Sequence, residues 1–498
     1  MTRLYADIIE AKNGSPVPLF SNGHAMHSRY APEKEAAGWA STINYASLFV
    51  IAGAGGGYFI AALKKRFPES VILVAEHSEE DIAFLSRIPA FYNLLNDRHV
   101  VIFPVKETKA MMQNYYLPAV YGALAVLETH SWQRENSDDI ATFRTCVAEA
   151  SRAISADYSV QSHFGKLWQR NIMLNLKQCG CQHVPAFPTE KTAFVAAAGP
   201  SLDNAISYVR QNSAALYVIA TDTAYHSFAK RGIACDAVVS IDGQMISASH
   251  FHNAVHVENT LFIFDLCANS SAAQFINRLG GKIMFVQTGH PLAQYAAHFA
   301  ERKTGTCFPI IETGAGTVTI AAFDVAFKAG FKKIVVAGAD FAYSQKPYAK
   351  GTYLDALYNA QSMRTDTQET LFSRLMFRSA LAETESGTKT TDTLASYKTT
   401  FESYAAQQCA VARDGKIYVC TAQKSAQTLT ESAQFDFDAF ATHFKNDFAS
   451  AKDAVDAPQF PPVIATLFPA VAAYRMAHSN EPAAALLKLA YNDILRYI

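Results

Sequence analysis

The chain has 498 residues, of which half are apolar and 17% are charged, and its formal net charge is -1. A chain of this length is expected to fold into two or three domains with buried cores. The near-neutral charge argues against non-specific nucleic-acid binding as its main role. Among eight scattered cysteines only Cys179 and Cys181 lie close together. No second pair completes a zinc site, so we expect free thiols and a reducing, cytosolic location.

No membrane span is predicted. The N-terminal residues lack the charged-then-apolar pattern of a signal peptide. The longest apolar run, residues 48–63, has 16 residues, four of which are glycine. A run of that length and glycine content is too short and too flexible to cross a bilayer.

The first predicted domain is built around the glycine loop AGAGGG. Residues 48–76 have the pattern of a strand, this loop, a helix and a second strand that ends at Glu76. Glu76 follows Gly53 by 23 residues, which is the spacing of a Rossmann fold. The pattern fits a nucleotide or S-adenosylmethionine site and, equally, a Rossmann-like domain that binds no ligand. We assign it to residues 1–150.

A predicted helix in residues 155–185 carries apolar residues at helical spacing. Asn171 and Asn175 lie four residues apart on one side of it. We expect both side chains to hydrogen-bond backbone groups rather than to bind a ligand.

The stretch TAFVAAAGPSLD, residues 192–203, predicts a buried strand, a tight turn and the start of a helix. We expect the turn Gly199-Pro200-Ser201 to leave backbone N–H groups unpaired, with Ser201 capping the helix. Unpaired N–H groups at a helix N-terminus suit a phosphate. The alternative is an ordinary connection between a strand and a helix.

Polar side chains stand at the ends of the buried strands that follow. In an open α/β sheet, the carboxyl edge of the strands is where ligands bind. One or two of these acids are equally explained as helix caps. The polar residues at the strand ends are Asp222, Asp242 with Gln244, Asp265, His290 and Asp340.

A second phosphate-binding candidate is the loop that contains Thr313, Gly314, Gly316 and Thr317, directly before a predicted helix. Small residues let a ligand approach the backbone, and hydroxyl groups beside a helix N-terminus can bind phosphate. A capped helix start is the alternative explanation.

After Asp340, a loop with Lys346, Lys350 and Tyr353 is expected to fold over the site. From about residue 430 the pattern is helical. We therefore predict a central α/β domain over residues 151–425 and a helical region over residues 426–498.

Six motifs occur in a fixed order: HSRYAPEKEA, AGAGGGYF, N-x-x-x-N, AAGPSLD, ETGAGTVT and GADFAYS. In this order, over about residues 20–425, the chain resembles the motility-associated factor (Maf) proteins of flagellated bacteria. The resemblance implies an α/β fold with an N-terminal Rossmann-like domain and a C-terminal helical region. Between them it implies a central sialyltransferase-like α/β domain, shared with 6-hydroxymethylpterin diphosphokinase MptE-like proteins.

The resemblance also implies a function. Maf proteins are implicated in transferring a nonulosonic acid, a sialic-acid-like sugar, from a CMP-sugar to serine or threonine of flagellin. The transfer takes place in the cytoplasm, and flagellar assembly and motility need it. The donor is a substrate, so no cofactor is implied. By the same resemblance, the donor is held by Gly199, Pro200, Ser201, Asp222, Asp242, Gln244, Thr313, Gly314, Gly316 and Thr317.

Two departures from the family pattern leave the general base open. Ala198 stands where the related sialyltransferases have a polar residue, and Tyr353 stands where many relatives have a histidine after threonine. Tyrosine titrates near pH 10 and is a poor base unless its pKa is shifted. The catalytic candidates are Asp242, Asp340, His290 and Tyr353. No DxD pattern compels a metal ion, so we predict metal-independent transfer.

Two other functions remain open. A pterin or nucleotide diphosphotransferase would need magnesium held by Asp222, Asp242 and Asp340, bridging ATP phosphates. A non-catalytic flagellin-binding protein would retain the fold with a degenerate site. The sequence does not determine the donor sugar, the acceptor residues or the oligomeric state.

Overall fold

The structure, a computed structural model, describes residues 3–180, 186–252, 254–305, 308–314, 316–384, 387–423, 429, 435–451 and 460–498. Cys181 of the predicted close pair lies outside these residues. The chain forms two compact units. The first unit comprises Met1–Lys166 and Phe448–Asn492, and the second comprises Leu167–Asp447 and Asp493–Ile498. The sequence predicts domain boundaries at residues 150 and 425.

The first unit contains a four-stranded parallel sheet in the order β5-β4-β3-β6, and a separate antiparallel hairpin of β1 and β2. Its strands are β1 Tyr5–Glu10, β2 Pro16–Phe20, β3 Leu48–Ala52, β4 Val71–Glu76, β5 Val100–Pro104 and β6 Leu124–Glu128. Strands β3 and β4 are apolar and buried along their whole length, as expected for the centre of a parallel sheet covered on both faces. This sheet is the Rossmann-like fold that the sequence predicts.

Helices follow or precede each strand of that sheet. The N-terminal helices are α1 Pro32–Thr42, α2 Tyr58–Arg66, α3 Glu79–Leu85, α4 Pro89–Leu95, α5 Thr108–Tyr115, α6 Pro118–Tyr121, α7 His130–Glu135 and α8 Ser137–Leu176. The 40-residue helix α8 contributes its residues up to Lys166 to the first unit and the remainder to the second.

The second unit contains an eight-stranded sheet in the order β11-β10-β9-β8-β7-β12-β16-β15. The strands from β11 to β12 are parallel, and β16 and β15 add an antiparallel hairpin beside β12. A short hairpin of β13 and β14 lies outside this sheet. The strands are β7 Thr192–Ala196, β8 Leu216–Thr221, β9 Ala237–Ser240, β10 Leu261–Asp265, β11 Lys282–Val286, β12 Lys333–Ala337, β13 Ala382–Glu383, β14 Lys389–Thr390, β15 Cys409–Asp414 and β16 Ile417–Ala422.

Helices cover both faces of the large sheet. They are α9 Leu202–Gln211, α10 Asp222–Ala229, α11 Met245–Ala248, α12 Ser270–Arg278, α13 Pro291–Thr304, α14 Val318–Lys328, α15 Tyr353–Gln361, α16 Gln368–Met376 and α17 Asp392–Gln408. Alternate strand residues such as Val195 and Ile219 form one core with α14 and α17. On the other face, Phe194 packs against Tyr208 of α9, and Phe262 packs against Tyr225 of α10.

The order of the strands places a topological switch at β7 and β12. From β7 the chain continues through α9 to β8 on one side, whereas β12 lies on the other side of β7. In doubly wound sheets, ligands bind in the crevice at the carboxyl ends of the strands beside such a switch. The turn after β7 is the predicted Gly199-Pro200-Ser201 turn.

The described C-terminal residues are helical, as the sequence predicts. The helices are α18 Phe437–Ala451, α19 Pro462–Ala465, α20 Phe468–Ala477 and α21 Ala483–Ile494. The mixed α/β fold class is thus confirmed. Within the described parts of the chain, we find no helix with the length and apolar character that a bilayer crossing requires.

Candidate functional site

The turn after β7 binds an acid of the same chain. The Ser201 backbone N–H and hydroxyl both donate to Asp340 Oδ2, at 3.0 and 2.8 Å. The Gly199 N–H donates to the Gly338 carbonyl at 2.8 Å. The expectation of unpaired N–H groups is therefore wrong at both positions, and the Ser201 hydroxyl does not cap α9. In this structure the Asp340 carboxylate holds the position that the sequence assigns to a phosphate.

Residue 199 must be glycine because Asp340 lies too close to leave room for a side chain there. A Cβ at Gly199 would lie 2.3 Å from Asp340 Oδ2 and 2.4 Å from the Gly338 carbonyl oxygen. The side chain of Asp340 is almost fully buried, and Lys416 Nζ lies 3.3 Å from its Oδ1. Asp340 therefore joins the ends of β7 and β12: its Oδ2 accepts both hydrogen bonds from Ser201, and its Oδ1 has the ion-pair contact with Lys416 but no hydrogen-bond partner among the described residues.

The second phosphate-binding candidate has more room. The N–H groups of Gly316 and Thr317 both donate to the Thr313 carbonyl at 3.0 Å, and the Thr317 hydroxyl caps α14 by accepting from Thr319. Gly314 packs tightly, whereas, apart from its chain neighbours, no described atom lies within 4 Å of a Cβ built at Gly316. The chain leaves α14 toward the start of β12, so the N-terminus of α14 lies at the carboxyl edge of the sheet. Its open side is at Gly316.

Two of the predicted acids lie at the ends of the neighbouring strands β8 and β9. Asp222 is buried and accepts from the Ser240 hydroxyl at 2.7 Å. Asp242 accepts from the Gln244 N–H at 2.9 Å. Burial raises the pKa of Asp242, and the nearby negative charge of Asp222 raises it further. The negative charge of Asp222 favours a cationic ligand group beside Asp242.

Tyr353 lies beside a histidine that the sequence reasoning did not single out. Its ring makes an edge-to-face contact with His250, with centroids 5.8 Å apart, and a more distant one with His252 at 6.5 Å. His226 on α10 binds the Gly351 carbonyl through Nδ1 at 2.7 Å. Two sequence signals were available. His226 follows Asp222 by four residues on one helix, and His250 follows the Asp242 strand end within the run SASHFH.

The predicted loop after Asp340 is fixed to the helices on this face. Asp203 of α9 pairs with Arg231 at 2.8 Å and with Lys346 at 2.5 Å, and it accepts from the Lys350 N–H at 3.1 Å. The Ser227 hydroxyl donates to the Lys350 carbonyl at 2.7 Å. These bonds hold the start of α15, and therefore Tyr353, beside α10.

His290, a predicted base, serves as a helix cap. Its Nδ1 accepts from the Leu292 N–H at 3.1 Å, at the N-terminus of α13. The neutral ring must therefore carry its proton on Nε2, which has no hydrogen-bond partner among the described residues. Burial lowers the pKa of His290 to about 3. A ring whose lone pair is engaged in a cap is a poor choice for a base.

Asp265, at the end of β10, accepts from the Thr288 hydroxyl at 2.8 Å. Burial raises the pKa of Asp265 to about 6.

Within the described ranges, no three His, Cys, Asp or Glu side chains are arranged to hold a metal ion.

The two asparagines of α8 bind backbone, as predicted. Asn171 donates to the carbonyls of Gly243 and Cys267, both at 3.1 Å. Asn175 donates to the carbonyls of Leu266 and Ala268, both at 2.9 Å. Both side chains thus fix the loops that follow β9 and β10.

The glycine loop of the first unit is filled by its own chain. Glu76 accepts from the Ala54 N–H at 2.9 Å and, through its other oxygen, from the Trp132 indole N–H at 2.8 Å. The Gly56 N–H donates to His27 Nε2 at 2.7 Å. A Cβ at Gly53 would lie 2.4 Å from the Trp132 ring. Backbone N–H groups that could bind a phosphate are used internally.

The fold and these contacts define a class: a doubly wound α/β domain whose carboxyl edge carries acids and histidines. Residues 170–346 match the family profile described as 6-hydroxymethylpterin diphosphokinase MptE-like. The predicted shared central domain is thereby confirmed.

The chain is also similar over its whole length to a solved structure, the MAf glycosyltransferase from Magnetospirillum magneticum AMB-1. The TM-score is 0.55 at 13% sequence identity, covering 100% of this chain and 91% of the other. The predicted resemblance to Maf proteins is confirmed at the level of the fold.

Two sequence relatives are uncharacterised proteins of Treponema pallidum (strain Nichols). One is 38% identical over 144 residues, which is 28% of this chain and 49% of the relative. The other is 29% identical over 197 residues, which is 36% of this chain and 94% of the relative. The chain therefore spans about half the length of the first relative and nearly all of the second.

Proposed function

We propose that this protein is a cytoplasmic glycosyltransferase that moves a nonulosonic sugar from a CMP-sugar donor to serine or threonine hydroxyls of flagellin. The observation that carries the proposal is the fold similarity to the Magnetospirillum MAf glycosyltransferase along the whole chain. The motif order read from the sequence supports it independently. The site we assign is the carboxyl edge of the second unit.

Each part of the reaction has candidate residues at this edge. The leaving phosphate is expected beside Gly316, where a ligand has room at the positive end of the α14 dipole; the N–H groups of Gly316 and Thr317 themselves donate to the Thr313 carbonyl. Asp222 and Asp242 face the sugar or the base. The Asp340 carboxylate is engaged by Ser201, so we assign it to fixing the turn after β7.

The test is a transfer assay with purified protein, CMP-activated nonulosonic acid and flagellin, read by intact-protein mass spectrometry. We expect one sugar mass to be added per modified hydroxyl, with equal rates in EDTA and in magnesium. Asp242→Ala should abolish the addition, and the exposed Asp414→Ala serves as the matched control. Flagellin that binds the protein but gains no mass would favour the non-catalytic alternative.

The match to the MptE-like profile favours a second candidate, a diphosphotransferase acting on a pterin alcohol. That reaction needs magnesium to bridge ATP phosphates, with Asp222 and Asp242 as its nearest ligands here. Incubation with ATP, magnesium and a 6-hydroxymethylpterin separates the two functions. Metal-dependent release of AMP would support the second candidate, and release of CMP from the CMP-sugar would support the first.

A further inference from the structure

His250 is a buried histidine with an unused ring nitrogen at the edge where the predicted acids meet. Its side chain is 7% exposed, and its Nδ1 has no hydrogen-bond partner among the described residues. Buried polar atoms in folded proteins almost always have a partner, so an exception needs an explanation such as water, a ligand or a catalytic role.

The groups around the ring are those that a proton acceptor needs. Asp242 lies within electrostatic range of the ring. His226, on the packed helix α10, is also within electrostatic range, and its Nδ1 is held by the Gly351 carbonyl. The Tyr353 ring also packs edge-to-face against the His250 ring.

Two of the other candidates, Asp340 and His290, are engaged in contacts that maintain the fold. Asp340 accepts two hydrogen bonds from Ser201 and faces Lys416. His290 uses its lone pair to cap α13. His250 alone among these side chains has a buried ring nitrogen that is free to accept.

We propose that His250 is the general base of the transfer reaction and that its Nδ1 takes the proton of the acceptor hydroxyl. This inference rests on the proposed function. The hydroxyl oxygen forms a bond to the anomeric carbon of the donor sugar while the bond from that carbon to the phosphate oxygen breaks. The phosphate leaves as CMP with the electron pair. The hydroxyl proton moves to His250 and from there to solvent.

The experiment compares His250→Gln with His252→Gln in the full chain. Glutamine retains the polarity and approximate length of histidine but cannot accept a proton near neutral pH. His252 is exposed and also lies near Tyr353, so it is a matched control. We would measure kcat for sugar transfer between pH 5 and 9, and CMP affinity by calorimetry.

We expect His250→Gln to lower kcat about 10²- to 10⁴-fold, the usual contribution of a general base. CMP affinity should change less than about twofold, and the acid limb of the pH profile should disappear. His252→Gln should retain both the rate and the profile. Retained CMP binding would also show that the variant is folded.

Two results would overturn the inference alone: normal transfer by His250→Gln with an unchanged pH profile, or a rate lost only in Tyr353→Phe. A wild-type protein that binds CMP and transfers no sugar would contradict the proposed function, and this inference with it.

Discussion

The glycine loop of the first unit and the carboxyl edge of the second unit both have the sequence pattern of a ligand-binding site. In the structure they differ in whether the chain's own side chains fill the predicted ligand position. In the first unit, Glu76 and His27 accept the loop's N–H groups, and Trp132 fills the space beside Gly53. At the second unit's edge, Gly316 faces open space and His250 has a ring nitrogen without a partner among the described residues. A glycine shows that something approaches the backbone closely, but not whether that is a ligand or the chain itself.

The contrast assigns different roles to the two regions. We expect the first unit to be a Rossmann-like scaffold, because its ligand position is occupied by its own side chains. We expect nucleotide binding at the second unit's edge, where charged groups are grouped and room remains. Three experiments test the contrast, beginning with the largest expected effect.

Removing the Glu76 carboxylate from the glycine loop of the first unit should destabilise the protein. Glu76→Ala would leave the Ala54 and Trp132 N–H groups buried without acceptors. We expect a loss of about 3 kcal/mol or more in the free energy of unfolding. Urea denaturation measures it, with the exposed Glu80→Ala as control. A loss below about 1 kcal/mol, or a change in CMP affinity, would contradict the scaffold role.

At the second unit's edge, Gly199→Ala tests the internal contact with Asp340. The new methyl group would meet a carboxylate and a backbone carbonyl at less than 2.5 Å, so the turn must shift. We expect a destabilisation of about 2 kcal/mol. Gly38→Ala is the control, since its φ, like that of Gly199, is not positive and nothing lies within 4 Å of a Cβ built there; on the exposed side of α1 the change should cost no stability. Equal costs would mean that the close approach is unimportant.

The pH dependence of stability tests whether His27 is held in its neutral form beside the glycine loop of the first unit. Burial lowers the pKa of His27 to about 4, below the value near 6.5 of an unfolded chain. The unfolded chain therefore binds the proton first, and stability falls as the pH drops from about 6.5 to 4. His27→Gln retains an acceptor for the Gly56 N–H and should remove about 2 kcal/mol of that loss. This is less than the full difference in pKa implies, because His27 is partly exposed to solvent.

The measurement is chemical denaturation of both proteins at several pH values. His290 contributes a loss of the same sign, and the raised pKa of Asp265 contributes the opposite one, as it favours the folded state below about pH 6. Both remain in His27→Gln, so the difference between the two curves isolates His27. Parallel curves would show that His27 titrates normally.

Much of the fold was predictable from sequence because buried parallel strands leave continuous apolar runs. The runs at β3, β4 and β7 and the glycine loop located both sheets. The polar strand ends located the carboxyl edge, since topology brings such ends together whatever lies between them.

The sequence could not show which groups satisfy one another. Ser201 and Asp340 are 139 residues apart, and each separately resembles a ligand-binding residue. Their contact depends on β12 lying next to β7, which is a property of strand order. His250 was missed for the same reason, because its significance comes from the helix that brings Tyr353 to it.

The most direct test of the central claim is calorimetric titration of the full chain with CMP in EDTA. Our account predicts a single site that is weakened at least tenfold in Asp242→Ala and unchanged in His27→Gln. Binding that survives in Asp242→Ala and is lost in His27→Gln would place the nucleotide in the first unit and contradict the account.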